Sequence, residues 1–425
     1  MKVLHIALTD GGGAGLGMMN QHLALLKAGV DSKVLVADKK SSLDSVYEMK
    51  SNHSIWSSNK YIYLLEKIAR RLGICLTEYD KIHHLIYIIR RKHPVPFSSP
   101  ITQYDVSEHP LVKEADIINL HFIAGFVDVE SFFTKVKKPI VWTMRDENPG
   151  LGGFHYEESE KEADTRLLQL DEKFLNIKRK VLKSHPDLHL VSLSRLMYGF
   201  CEKVDFLSCH SNRVIYNAIN PDAYQIVDKR QARKEFALLE QDMIISFVST
   251  SLGERRKRLR EVMEAVRILK ERISDKQIKL LCVGNEDIDE KLPNMICLGT
   301  ITDTKQLCRV YSASDVFVSP SAQEAFGKTV IEALYCGTPV VSTPVGIAAE
   351  VINEENGAIC KNGSAEDIAS TIEMVLSRKY DRESIRQASC RLFSPSQIAE
   401  QYIELYNNIL KNEGNTKDNG CHSNL

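Results

Sequence analysis

Ser319–Pro344 reads SPSAQEAFGKTVIEALYCGTPVVSTP, and its parsing decides the fold. The short apolar run Val316–Val318 stands before it, with the length and character of a buried parallel strand. The stretch then gives a strand end, a loop carrying Glu324, a helix beginning near Gly327 and a buried strand at Pro339–Val341. The first N–H groups of a helix lack partners, and the helix dipole adds partial positive charge there. Such an end receives phosphate. Glu324 falls just outside this helix and Glu332 inside it, about a turn and a half from its start at ~3.6 residues per turn. One carboxylate therefore hangs over the helix N-terminus while the other projects from the helix side. The pair suits a molecule with a diphosphate, a ribose and a polyhydroxylated group.

Strand and helix patterns alternate outward from this point in both directions. On the N-terminal side, Val3–Ala7 is a strand, Gly11–Gly15 a glycine-rich loop, the next stretch to about Ala28 a helix, and Lys33–Ala37 a second strand. Buried strands follow at Ile117–Leu120, Ile140–Trp142 and Leu188–Leu193, with helical patterns at Glu130–Val136 and Thr165–Ser184. The alternation restarts with strands Ile244–Val248 and Lys279–Val283 and helices Leu259–Arg272 and Lys305–Ser312. Two α/β, doubly wound, Rossmann-like domains with parallel sheets are expected. Asn, Pro and Asp breakers put the join near Asn217–Asp228. The expected division is 1–220, 221–394, a last helix at 395–411, and a polar, disordered tail at 412–425.

Bulk properties exclude several classes. At 425 residues the chain has room for two or three domains, and 43% hydrophobic with 26% charged residues is ordinary globular composition. A net charge of −1 leaves no global field for nucleic acid. The ten cysteines form no C-x-x-C and no zinc-ligand spacing with histidine, so no metal site and a reduced cytoplasmic setting are expected. MKVLHIALTDGGG breaks into glycines too early for a signal peptide, and no apolar run approaches the ~18–20 residues of a spanning helix.

Glu324 and Glu332 form an E-x(7)-E pattern, and E-A-F-G-K-T-V-I-E-A and C-G-T-P-V-V surround it in order. This stretch closely resembles the retaining glycosyltransferases of the GT-B fold, the large group 1 family. V-I-Y-N-A-I-N-P-D-A-Y at the join is similar to the interdomain segment of the same family. The resemblance implies two Rossmann-like domains facing across a cleft. Acceptor is bound on the N-terminal side and a nucleotide sugar, UDP- or GDP-linked, on the C-terminal side, and the last helix crosses back to the first domain. Of donor-site residues, it implies Glu324 on the donor sugar, Glu332 on the ribose, and Phe326, Gly327, Lys328 and Thr329 at the diphosphate. No cofactor beyond the donor co-substrate is implied.

Further candidates lie at strand ends, where open α/β sheets bind ligands. Gly11–Gly15 fails G-x-G-x-x-G in every register. Its residues Gly12, Gly13 and Gly15 read either as a loop over the donor phosphates, as in the resembling family, or as a plain tight turn. His121 ends the strand I-I-N-L-H; it either orients a substrate or packs at a strand end. Arg145 falls in V-W-T-M-R-D-E-N-P-G-L-G-G-F-H-Y, which resembles V-W-T-L-H-D-M-W-P-F-T-G-G-C-H-Y of a polysaccharide-building branch. Histidine is usual at this position there; arginine keeps positive charge but cannot act as a base. Arg145 is expected to meet phosphate or an anionic acceptor. In Arg255–Arg258 four consecutive cations are ordinarily a solvated face, but here they follow a strand end. The family carries R-K-G, and Lys257 matches its lysine as a diphosphate ligand. Arg258 stands for the glycine, Ser251 for an arginine about six residues earlier, and Arg256 is placed to compensate. Ile347 replaces a second glycine and is expected to reshape the loop over the sugar.

Asn59–His93 mixes Ile62, Leu64, Leu65, Ile68, Leu72, Ile86 and Ile89 with Lys60, Lys67, Arg70, Arg71, Arg90, Arg91 and Lys92. It reads either as a basic amphipathic surface for anionic membrane or as a helical excursion with a solvated basic face. The functional expectation is a retaining, metal-independent glycosyltransferase. It moves a sugar onto a glycan acceptor, lipid-linked, for bacterial-type surface polysaccharide, at the inner face of the cytoplasmic membrane. Two alternatives share the architecture: a sugar-nucleotide epimerase and a catalytically degenerate nucleotide-sugar binding protein.

Overall fold

The computed structural model describes residues 1–50, 77–92, 95–160, 163–273 and 276–419, with the single positions 65, 68, 69 and 74. The chain folds as two compact units. Unit 1 is Met1–Leu193, Met197–Ala218 and Pro395–Leu425; unit 2 is Ser194–Leu196 and Ile219–Ser394.

Unit 1 is built on β1 (Lys2–Thr9), β2 (Asp31–Asp38), β3 (Val46–Glu48), β4 (Ile117–Leu120), β5 (Ile140–Met144), β6 (Leu188–Ser192) and β7 (Ser211–Val214). The sheet order is β3-β2-β1-β4-β5-β6-β7 and all pairs are parallel. Every residue of β4 and β5 is buried, as helices on both faces of a parallel sheet require. β7, Ser-Asn-Arg-Val, is a half-exposed edge with no apolar run to betray it in sequence.

The last helix, Pro395–Asn419, is part of this unit and runs past the Lys411 limit expected from sequence. Its Ile398, Tyr402, Tyr406 and Ile409 join Val3, Leu25, Ile117 and Val141 in one core. Tyr406 Oη accepts from Asn119 Nδ2 at 2.7 Å and from Gln21 Nε2 at 3.2 Å, and Tyr402 Oη lies 3.2 Å from Thr143 Oγ1. Two strands and the first helix thus find buried polar partners in a segment nearly 200 residues past the unit's other parts.

Unit 2 repeats the plan with β8 (Met243–Ser251), β9 (Ile278–Asn285), β10 (Met295–Cys297), β11 (Val316–Ser319), β12 (Val340–Ser342) and β13 (Gly357–Ile359), in the parallel order β10-β9-β8-β11-β12-β13. Helix Leu259–Arg272 follows its sequence pattern. Leu259, Val262, Met263, Val266 and Leu269 form one apolar stripe against Ile245, Phe247 and Leu280. In both sheets the first strand sits third in the order, so the winding reverses beside it. The reversal falls between β1 and β4 in one unit and between β8 and β11 in the other, and ligands of open α/β sheets bind at such points.

Two sequence expectations shift. The glycine-rich segment is not a free loop: a helix begins at Gly12 and takes in Gly13 and Gly15. A Cβ at Gly15 would fall 2.6 Å from the Thr9 carbonyl oxygen, so the helix start is seated against the end of β1. The helix expected from Gly327 is Lys328–Tyr335, with Gly327 as its cap at φ 87°. Of the basic segment 59–93, the helix Glu78–Lys92 is described, and the greater part of 59–77 lies outside the described residues. No helix among the described residues is long and apolar enough to cross a membrane.

Candidate functional site

At the winding reversal of unit 2, the segment after β8 turns through Arg255–Lys257 before helix Leu259–Arg272. Ala322 N donates to the Arg256 carbonyl at 2.8 Å, tying this turn to the loop after β11. Lys257 Nζ donates to Glu324 Oε1, and Arg256 Nη1 lies 3.3 Å from the same oxygen. Arg256 also contacts Glu254 at 2.6 Å and donates to the Gln323 carbonyl. Burial pushes the Glu324 carboxyl up, but Lys257 and Arg256 outweigh it and hold the group at about 2. The cluster is thus a fixed carboxylate between two cations.

Arg256 occupies the place assigned to it as compensating cation, because Ser251 is used elsewhere: its Oγ donates to Asp287 at 2.5 Å. Arg258, standing where the resembling pattern has glycine, adopts φ 59°, ψ 38°, a left-handed conformation that disfavours a side chain. Its guanidinium reaches the Asn362 carbonyl at 3.2 Å. A Cβ on Gly363 would come within 2.3 Å of that guanidinium, so the two positions are coupled.

No side chain caps helix Lys328–Tyr335, whose start carries Gly327 and Thr329. The loop before it is clamped from behind: Ile347 N donates to the Phe326 carbonyl at 2.7 Å, and a Cβ on Gly346 would meet that oxygen at 2.4 Å. Ile347 is fully buried, so it braces the loop from within rather than covering a sugar. Phe326 is buried too, its ring edge-on to Phe393 at 5.8 Å, so the side chain fixes the loop and only its backbone is left to a ligand.

Glu332 differs from the open ribose acceptor expected of it. It is 4% exposed. Tyr224 Oη donates to Oε1 at 2.7 Å and Tyr311 Oη to Oε2 at 2.9 Å, while Lys328 Nζ sits 2.7 Å from Oε1 one turn back along the helix. Burial and the adjacent carboxylate raise both tyrosine pKa values, so the hydroxyls stay donors. Lys328 Nζ also reaches Tyr224 Oη at 3.2 Å. Tyr224 and Tyr311 were not singled out from the sequence; nothing local marks a tyrosine 108 residues from its carboxylate.

In unit 1 the residues at the β1/β4 reversal form a second polar cluster. Arg145 is 8% exposed. Its Nε and Nη2 donate to His121 Nδ1 at 3.2 and 3.0 Å, Nη1 donates to Asn217 Oδ1, and Nη2 lies 3.4 Å from Gln21 Oε1. His121 Nε2 is 2.9 Å from His5 Nδ1. The bonding assigns the tautomers. His121 Nδ1 receives the guanidinium, so its proton is on Nε2 and goes to His5. The His5 proton is then on Nε2, an atom with no hydrogen-bond partner among the described residues. Burial, with Arg145 and a neighbouring imidazole, holds both histidines well below 6.5 and therefore neutral. His121 thus has both nitrogens engaged inside the unit. Gly17, also absent from the sequence-based set, is needed here, since a Cβ on it would fall 2.6 Å from Arg145 Nη1. Gly12 and Gly13 are exposed, and a Cβ on either would meet nothing within 4 Å.

Among the described residues no group of three His, Cys, Asp or Glu side chains is arranged to hold a metal.

Residues 228–391 match the family model described as Glycosyl transferases group 1. The chain is 25% identical over 223 residues to N-acetyl-alpha-D-glucosaminyl L-malate synthase of Bacillus anthracis, covering 48% of this chain and 56% of that protein. It is 26% identical over 211 residues to the capsular polysaccharide biosynthesis glycosyltransferase CapM of Staphylococcus aureus, covering 46% and 54%. The chain thus spans about half the length of these curated relatives. Among solved structures, Anabaena Alr3699/HepE in complex with UDP and glucose superposes with a TM-score of 0.62 at 17% identity, over 95% of this chain and 99% of that one. The lipopolysaccharide glycosyltransferase WaaG gives 0.56 at 16% identity, over 94% and 95%.

Proposed function

From a chain whose residues 228–391 are a group 1 glycosyl transferase domain, on a GT-B fold, we propose a retaining glycosyltransferase. Its donor is a nucleotide-diphosphate sugar, and it needs no metal. Its acceptor is a glycan, lipid-linked, in surface polysaccharide assembly at the inner face of the cytoplasmic membrane. The observation that carries the reading is the convergence of Lys257 and Arg256 on Glu324 Oε1 beside a helix start without a side-chain cap.

Sugar transfer from such a donor must stabilise a departing diphosphate. Two side-chain cations and a ring of helix N–H groups supply that stabilisation where charge develops. The Glu324 carboxylate, fully ionised, accepts hydrogen bonds from sugar hydroxyls and keeps both cations aimed at the phosphates. Glu332, packed against Tyr224 and Tyr311, presents its remaining lone pairs to ribose hydroxyls. The departing phosphate takes the acceptor proton, and the acceptor oxygen attacks the face it leaves, which preserves the anomeric configuration. CapM supports the polysaccharide branch by its printed role. The basic end Arg90-Arg91-Lys92 of helix Glu78–Lys92 is consistent with membrane contact.

The test is a thermal-shift screen with UDP, GDP and their sugar conjugates, UDP first because Alr3699/HepE was solved with it. A ligand at a hundredfold excess over its Kd stabilises the native state by ~2.7 kcal/mol. A shift with one nucleotide, lost in Lys257→Ala, supports the reading. Well-folded protein that responds to no nucleotide overturns it.

A further inference from the structure

Arg145 carries a charge that the fold does not balance. The other deeply placed arginines have carboxylates: Arg233 has Asp315 at 2.9 Å, and Arg256 has Glu254 and Glu324. Arg145 meets His121, Asn217 and Gln21, all neutral, and no carboxylate lies within ion-pair distance among the described residues. Burial lowers its pKa only to about 10, so it remains cationic at neutral pH. The nearest acids face elsewhere. Asp146 is bonded to His155 at 2.6 Å, and Asp10 accepts from the backbone of Lys40 and Ser41. Removing a guanidinium from water without a counter-charge costs several kcal/mol, and a fold that keeps one has a use for the field it makes.

The surroundings give that field an opening. Gly13 and Gly17 are four residues apart on one helix and share a face. Gly17 is in contact with the guanidinium, and the space over Gly13, one turn nearer the helix start, is open. Asn217, on the Nη1 edge, is only half-buried. A lane free of side chains therefore leads from solvent, past a helix start with no acidic residue in its first turn, to an unbalanced cation.

We propose that Arg145 seats the anionic group of an acidic sugar bound by unit 1, a carboxylate or a phosphate lying in the lane over Gly13 and Gly17. This rests on the glycosyltransferase reading and narrows it: the sugar handled by unit 1 is a uronate or a phosphorylated sugar rather than a neutral one.

The experiment is calorimetric titration of the full-length protein with glucuronate, glucose 6-phosphate and glucose at matched ionic strength, with UDP titrated in parallel. At least one acidic sugar is expected to bind roughly tenfold or more tightly than glucose, as a charge-assisted bidentate contact allows. Whether glucuronate or glucose 6-phosphate wins identifies the anion. Arg145→Gln should erase the preference and Arg145→Lys retain part of it. Should both fold poorly, Asn217→Asp provides the counter-charge internally; it should stabilise the protein and abolish the preference. Equal binding of acidic and neutral sugars, or a preference that survives Asn217→Asp, overturns the proposal and leaves Arg145 a packing residue. UDP binding without any sugar preference would sink this inference alone, whereas absence of UDP binding would sink the glycosyltransferase reading.

Discussion

Arg256 Nη1 stands 3.3 Å from Glu324 Oε1, the oxygen that also receives the Lys257 ammonium. One carboxylate therefore fixes two cations, and the three side chains act as a unit.

Arg256→Ala and Lys257→Ala should each lower kcat by about 10²–10³, the loss typical of one electrostatic stabiliser, with far-UV circular dichroism unchanged. A chelator should leave the wild-type rate intact. Normal transfer kinetics in both variants would remove the assignment; so would strict dependence on added metal, as far as the metal-free scheme goes.

Glu332 calls for a different expectation. Glu332→Ala strips the acceptor from Tyr224, Tyr311 and Lys328 in a buried setting, at a cost of roughly 2–4 kcal/mol. With ~2–4 °C per kcal/mol for a unit of this size, the melting temperature should fall by roughly 5–15 °C. Glu332→Gln keeps a carbonyl for one tyrosine and should lose much less. Nucleotide affinity must then be compared in Glu332→Gln; an unchanged melting temperature in Glu332→Ala would contradict the buried network.

Unit 1 should be acid-labile. Burial lowers His22 from 6.5 to about 4, and His5 and His121 are lowered with it. Because the folded values lie below the unfolded ones, stability is complete above pH 6.5 and drains as pH falls toward 4. His22 alone accounts for about 3 kcal/mol of that loss. Urea melts at pH 7, 5.5 and 4.5 would trace it, and His22→Gln, able to keep partners at Ser32 and Ser45, should flatten the curve. A stability constant across this window would refute the buried neutral histidines.

Arg258 and Gly363 should show coupling. Arg258→Gly relieves the left-handed backbone and is expected to gain about 1 kcal/mol, less the exposed contact to Asn362. Gly363→Ala should destabilise, since φ there is +73° and the new methyl meets the guanidinium. In the Arg258→Gly background the cost of Gly363→Ala should shrink; strictly additive melting data would show that the two do not touch.

What sequence reading reached and missed follows from interaction range. Strand–helix alternation, helix Leu259–Arg272 and the Lys257–Glu324 pairing were legible, because apolar period and position at strand ends are local signals. The glycine segment was misjudged as a loop because Gly15 is dictated by contact with Thr9, which no composition rule reports. Tyr224, Tyr311, His5 and Gly17 went unnoticed for a related reason. Each matters through a partner remote in sequence, and an isolated tyrosine or glycine carries no mark of that partner. β7 and β13 were too short or too polar to show a period.

The return of Pro395–Asn419 to unit 1 also sets a schedule for biosynthesis. Tyr402 and Tyr406 emerge from the ribosome only after all of unit 2, so Asn119, Thr143 and Gln21 must wait for them. At ~5–20 residues per second the delay between Ala218 and the last helix is on the order of 10–30 s. Unit 2, contiguous apart from Ser194–Leu196, can condense first, although its sequence comes second. A nascent chain stalled before Pro395 would hold an unfinished N-terminal half, a natural client for chaperones.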